Sequence, residues 1–113
     1  MHEMALAESV LAIVEDAARA HHASRVTKVR LEIGALSHVA ADALRFCFEA
    51  VQRHSVAADA DLEIITVPGR AWCMPCGELV PLAALGNACP RCGSYQLQVS
   101  AGGEMRVRDI AIA

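Results

Sequence analysis

Four cysteines constrain this chain more tightly than anything else in it. They stand as Cys73-Met-Pro-Cys76-Gly and Cys89-Pro-Arg-Cys92-Gly, two C-x2-C pairs with twelve residues between them. Cysteines three apart wrap a tight turn around one ion, and the glycine after each pair (Gly77, Gly93) admits the positive φ that turns backbone N–H groups toward the sulfurs. Two such knuckles supply four thiolates in a tetrahedron, the closed geometry of structural zinc. Iron in the same tetrathiolate cage is the rival, as an electron carrier, and its colour would separate it from zinc. Catalytic zinc is not expected, because four protein ligands leave no position for water. A thioredoxin-like redox pair is not expected either, since no βαβ pattern surrounds the cysteines. The ion is therefore expected to fold a segment too small for its own core.

The rest of the composition narrows the setting. A chain of 113 residues is one domain, or one with a small appendage. More than half the residues are hydrophobic but 22 are alanine, which leaves large apolar side chains for one modest core. The longest uncharged runs, Leu79–Pro90 and Cys92–Gly103, are 12 residues each, short of the roughly 18 a membrane span needs. Glu3 and Glu8 stand where a signal peptide would be positive, so the expectation is a cytoplasmic protein, in which clustered cysteines read as metal ligands rather than disulfides. No basic footprint for nucleic acid is present: the formal charge is −3, and four thiolates with one Zn²⁺ would take it two units lower. Between Cys73 and Cys92 the only charges are Glu78 and Arg91.

Hydrophobic periodicity predicts a helix over 4–22, with Leu6, Val10, Ile13 and Ala17 on one stripe and Leu11, Val14 and Ala18 widening it. Val26–Gly34 alternates as a half-exposed strand, with Val29, Leu31 and Ile33 on the inner face. Ser37 is the expected N-cap of a second helix carrying Leu44, Cys47, Phe48 and Val51 inward. Leu62–Val67 is a strand stopped by Pro68-Gly69, Tyr95–Val99 a weaker one, and Glu104–Ala113 a last strand. In that last strand the apolar phase slips by one residue near Arg108-Asp109, as at a bulge. The expected fold is α+β: two helices on a small three-stranded sheet, with an inserted zinc-ribbon-like tetracysteine module. Residues 1–69 plus 103–113 are expected to form the α+β domain and residues 70–102 the cysteine module.

The second place for chemistry is Met1-His2-Glu3. A frayed, solvated end is the ordinary reading of such residues. The chemistry of a chelate is nevertheless available. A bulky second residue is expected to keep the initiator methionine, and a terminal amine has a pKa of about 7.7–8.0, so part of it is free to ligate near neutrality. Amine, His2 amide and His2 imidazole close adjacent rings on one ion, and the Glu3 amide completes four nitrogens in a plane. That set suits Ni(II) or Cu(II), not Zn(II). His21 and His22 read as cations at a helix C-terminus, His54 as a surface residue, and His38 as a surface residue for which auxiliary ligation is the alternative reading.

These residues together resemble the HypA/HybF family of nickel-delivery factors for nickel-iron hydrogenase maturation. The resemblance runs along nearly the whole chain: the opening MHEMALAESV, RVTKVRLEIGALS, ALRFCFEAV, both CxxC knuckles and the terminal RVRDIAI. It implies nickel at His2 with Met1 and Glu3 contributing, and structural zinc at Cys73, Cys76, Cys89 and Cys92. It further implies transfer of Ni(II) to the hydrogenase large-subunit precursor, in partnership with the HypB GTPase. Two departures stand out: the family's acidic-proline start of the second helix is here Val39-Ala-Ala-Asp42, and Gln96 and Gln98 occupy a stretch where some members carry a histidine. An enzyme is not expected, since neither a nucleophile–base pair nor a phosphate-binding glycine loop is visible. The alternative function is a zinc-ribbon interaction adaptor whose N-terminus does not carry nickel.

Overall fold

The structure, a computed structural model, describes residues 2–113. Its elements in chain order are α1 (Glu3–Ala20), β1 (Val26–Gly34), α2 (Ala41–Gln52), β2 (Asp61–Val67), β3 (Arg70–Cys73), β4 (Glu78–Pro81), β5 (Leu97–Ala101) and β6 (Met105–Ile112). They form two sheets, ordered β2-β1-β6 and β4-β3-β5. The chain divides into two compact units, one comprising residues up to Glu32, Val39–Ile65 and Arg106–Ala113, the other Ile33–His38 and Thr66–Met105. Among the described residues no helix is long and apolar enough to cross a membrane.

In the first unit the two helices pack on each other. The buried stripe of α1 is Ala7, Val10, Val14 and Ala18, which recurs at helical spacing but is centred one residue away from the expected Leu6–Val10–Ile13–Ala17 line. Ile13 consequently lies 52% exposed. From β1 the inner face supplies Val29 and Leu31, and α2 supplies Leu44 and Phe48, all buried; Ile33, buried on the same strand, falls in the second unit. Full burial of each such side chain contributes about 1.5–3 kcal/mol. The outer face is a set of cross-strand ion pairs: Lys28 with Glu63 at 3.6 Å, Arg30 with Asp109 at 3.3 Å and Arg106 with Glu32 at 2.7 Å. Arg108 also reaches Glu32, at 3.9 Å. Consecutive residues Arg108 and Asp109 thus both meet the outer face, and both are exposed before Ile110 turns back toward the interior. This is the phase slip expected in the last strand.

Helix ends depart from the sequence reading. The N-cap of α2 is Ala40, with no side-chain cap, and Ser37 instead bonds Gly34, its Oγ donating to the Gly34 carbonyl at 2.7 Å. At the end of α1, His22 takes a φ of 54°. There the Ala23 N–H bonds Ala18 O at 2.8 Å and the His22 N–H bonds Arg19 O at 3.1 Å, the paired contacts of a Schellman termination with histidine where glycine is usual. Gln52 is the one buried polar side chain among the described residues. Its Nε2 donates to the carbonyls of Ala57 at 2.8 Å and Ala60 at 3.1 Å, closing the turn that leads into β2.

The second unit is built on β3, paired antiparallel with β4 on one side and β5 on the other. Compared with the expected 70–102 segment it also takes in 33–38, 66–69 and 103–105. The reason is Leu36, whose buried side chain joins Ala71 and Leu82, with Leu97 packed against them. Backbone bonds from Leu36 N–H to Gly102 O (2.8 Å) and from Leu82 N–H to Gly69 O (2.9 Å) lock the crossing. The approach is so close that a Cβ on Gly34 would lie 2.1 Å from the Gly102 carbonyl oxygen. Only residues without side chains fit there.

Candidate metal centre

The hairpin of β3 and β4 ends on the first knuckle, where Cys73 pairs in register with Glu78. Gly77 N–H bonds Cys73 O at 2.8 Å, and Gly93 N–H bonds Cys89 O at 2.9 Å, so both knuckles close by the same backbone bond. Gly77 and Gly93 have φ of 64° and 77°, the left-handed region that their position after each pair calls for. Arg91 N–H points at Cys89 Sγ, 3.4 Å away, and the Arg91 side chain makes an ion pair with Glu78 that spans the two knuckles.

All four sulfurs lie within 4.8 Å of one another. Cys73 Sγ is 3.5 Å from Cys92 Sγ, and Cys76 Sγ is 3.9 Å from Cys89 Sγ. A tetrahedral ion with metal–sulfur bonds of about 2.3 Å requires sulfur–sulfur edges of about 3.8 Å, and the two measured edges fall on either side of that value. A disulfide would need about 2.05 Å. The residues therefore fit a four-coordinate thiophilic ion. Their environments are unequal: Cys73 and Cys89 are buried, Cys76 is half-buried and Cys92 is exposed. Cys73 and Cys89 pack with Val80 in a small cluster to which Cys76 and Leu97 attach, so the ligands are part of this unit's core.

Electrostatics point the same way. Burial pushes the Cys73 thiol up. Contacts with the sulfurs of Cys92 and Cys73, followed by burial, push Cys76 up to about 12. Cys89 is opposed by burial, yet backbone N–H groups of Cys92 and Arg91 and the neighbouring sulfurs bring it down to about 7. Burial and mutual contact thus oppose ionisation of Cys73 and Cys76, a cost that a bound cation would offset.

The N-terminal residues lie elsewhere. Met1 is outside the described residues. His2 is the N-cap of α1 and is exposed, with no side-chain cap bond. Glu3 opens the helix and is half-buried, and its Oε2 accepts the Ala40 N–H at 3.5 Å. This contact crosses 37 residues of sequence and has no signature in the local pattern. His38 is exposed, with φ of 60°. Among the described residues the four cysteines form the only cluster of three or more metal-binding side chains, so no auxiliary ligand is gathered around His38. Cys47 is half-buried on α2, apart from the cluster.

Two helices with one three-stranded sheet, and a second three-stranded sheet that gathers four sulfurs able to hold a metal ion, define a small α+β protein with a tetracysteine site. The family model described as hydrogenase/urease nickel incorporation, metallochaperone, HypA matches residues 1–112, and the chain belongs to the HypA family. It is 58% identical over 112 residues to the hydrogenase maturation factor HypA of Albidiferax ferrireducens, covering 99% of each. It is 59% identical, with the same coverage, to that of Dechloromonas aromatica. The solution structure of the Ni metallochaperone HypA from Helicobacter pylori superposes with a TM-score of 0.74 at 27% identity, over 99% of this chain and 97% of that one.

Proposed function

We propose that this chain is a nickel metallochaperone that takes Ni(II) at its N-terminus and delivers it to the nickel-iron hydrogenase large-subunit precursor, with zinc held structurally by Cys73, Cys76, Cys89 and Cys92. The reading includes the HypB GTPase as partner, a cytoplasmic setting and no catalytic step of the chain's own. The observation that carries it is how α1 starts. The first intrahelical bond runs from Leu6 N–H to His2 O at 2.8 Å, so the helix uses neither the His2 nor the Glu3 amide nitrogen as a donor. Both remain available to lose a proton and ligate. With two amidates, one neutral amine and one neutral imidazole, bound Ni²⁺ is charge-neutral overall. The positive end of the helix dipole favours the two amidates, and four nitrogens in a plane suit Ni(II). An exposed end also lets an acceptor displace donors one at a time.

Nickel titration of the native-terminus protein, monitored by metal analysis and the visible band of planar Ni(II), tests this. One Ni(II) per chain is expected. His2→Ala, or an extension that blocks the Met1 amine, should abolish binding while zinc is retained. Nickel binding unchanged in both variants would sink the site and leave the adaptor reading. A colourless protein before nickel loading, with one zinc per chain, separates zinc from iron in the cysteine cage.

A further inference from the structure

The carboxylate of Glu3 has a use that does not involve touching a metal. In a capping box the N-cap N–H is satisfied by a Glu or Gln side chain at the third helical position. In α2 the N-cap is Ala40, with no side-chain cap, and the third helical residue is Ala43, which has nothing to offer. The carboxylate that meets the Ala40 N–H is that of Glu3, from the first turn of the other helix, at 3.5 Å. The geometry points to Glu3 as a positioning residue: its side chain braces the first turn of α1 against the N-terminus of α2, so that the nickel-binding amides of residues 2 and 3 are held ready rather than frayed.

The physical argument has two parts. A carboxylate beside the N-terminus of α2 interacts favourably with that helix's partial positive charge, an effect confined to the first turn. Helix ends otherwise fray, and a frayed α1 would let His2 and Glu3 rotate independently, whereas a planar chelate needs their two amide nitrogens and the imidazole in one fixed arrangement. Holding them beforehand lowers the ordering cost of binding. The half-buried state of Glu3 next to an exposed His2 fits this division: the side chain of residue 3 faces the protein, and the donors of residue 2 face solvent.

The inference rests on the proposed N-terminal nickel site, and the test keeps the two apart. Three variants, Glu3→Gln, Glu3→Ala and Glu3→Ala with Ala40→Asp, are compared with the unsubstituted full chain. The readouts are the visible Ni(II) band, the rate of nickel loss to a chelator, and hydrogen exchange of the Ala40 amide in nickel-free protein. Glu3→Ala should keep the stoichiometry and the band, because the backbone amide remains. It should release nickel about two- to five-fold faster, as expected for loss of one helix-end charge contact, and Ala40 should exchange faster. Glu3→Gln, which keeps an acceptor, should fall between. Ala40→Asp restores a cap to α2 but should not restore nickel retention. A shifted band in Glu3→Ala would mean that the carboxylate ligates the ion, and full rescue by Ala40→Asp would mean that only α2 stability matters; either overturns the brace. Unchanged Ala40 exchange in Glu3→Ala overturns it too. If the unsubstituted protein takes no nickel at its terminus, the proposed function fails, and the Ala40 exchange still decides whether the contact forms.

Discussion

On the proposed reading, removing zinc from the four cysteines should unfold the second unit while leaving the first one folded. In the second unit the buried apolar side chains larger than alanine are Ile33, Leu36, Val80 and Leu82, besides the ligands Cys73 and Cys89. Four such side chains contribute about 1.5–3 kcal/mol each, or about 6–12 kcal/mol together. The apparent binding free energy of a structural zinc in small modules is about 10–16 kcal/mol at neutral pH, as much as those four together or more. Loss of the ion also leaves Cys76, held up at about 12, without a cation to favour its thiolate. Hydrogen exchange of the full chain with and without a strong zinc chelator measures the outcome unit by unit, and the fluorescence of Trp72, next to Cys73 on β3, follows the same transition. Amides of β3, β4 and β5 should exchange close to unfolded rates after metal removal, and those of α1, β1 and α2 should stay protected. The ligand variants should grade by burial: Cys73→Ala, fully buried, loses a ligand and opens a cavity, whereas Cys92→Ala, at an exposed position, keeps weakened zinc binding through three thiolates. Protection of β3–β5 that survives complete zinc removal would refute the reasoning.

Two further outcomes follow from the first unit. His22→Gly relieves the left-handed backbone at φ 54° and should raise stability by about 1 kcal/mol. In a chain of this size that is about 4 °C in Tm, with His22→Ala showing no such gain; chemical and thermal denaturation check it. Glu32 is held below the usual carboxylate value of 4.5 by its hydrogen bond from Arg106, against a smaller opposing effect of burial. Because its folded pKa lies below the unfolded one, its contribution is present above that value and is lost as pH falls through the lower folded pKa. Acid unfolding of Glu32→Gln should therefore depend less steeply on pH below about 4.5 than that of the unsubstituted protein.

What the sequence shows of this fold is what short-range periodicity encodes. The strand Val26–Gly34 appears with the expected bounds, because alternation of Val29, Leu31 and Ile33 with charged neighbours leaves one phase. The stripe of α1 is displaced because alanines are numerous: Ala7 and Ala18 pack as well as Leu6 and Ala17 would, and only the tertiary partner decides between them. β3 and β4 are four residues each and bracket a knuckle, too short for alternation to register. Ser37 has the composition of a cap but spends its hydroxyl on Gly34, since α2 begins only at Ala41. Gln52 follows Leu44 and Phe48 at helical spacing on the inner stripe of α2, but its amide is the residue type of a surface, and what satisfies it inside is three nearby carbonyls that no local pattern announces.

The two candidate sites differ in legibility for the same physical reason. Ligation by paired cysteines is a local device: three residues of spacing fix each half of the cage, and only the meeting of the halves, sulfur to sulfur at 3.5 and 3.9 Å, depends on the fold. The N-terminal site is local in its donors, all on three consecutive residues, but not in its support. Its brace reaches from Glu3 to Ala40, and a helix N-terminus without its own cap is the only hint of it in the chain. The donor types also keep the two metals apart on the proposed reading. Four thiolates closed in a tetrahedron select a thiophilic ion and leave no open position, and four planar nitrogens at an exposed end favour Ni(II). A chaperone that must release one metal while keeping another is better served by this separation than by two sites of similar chemistry.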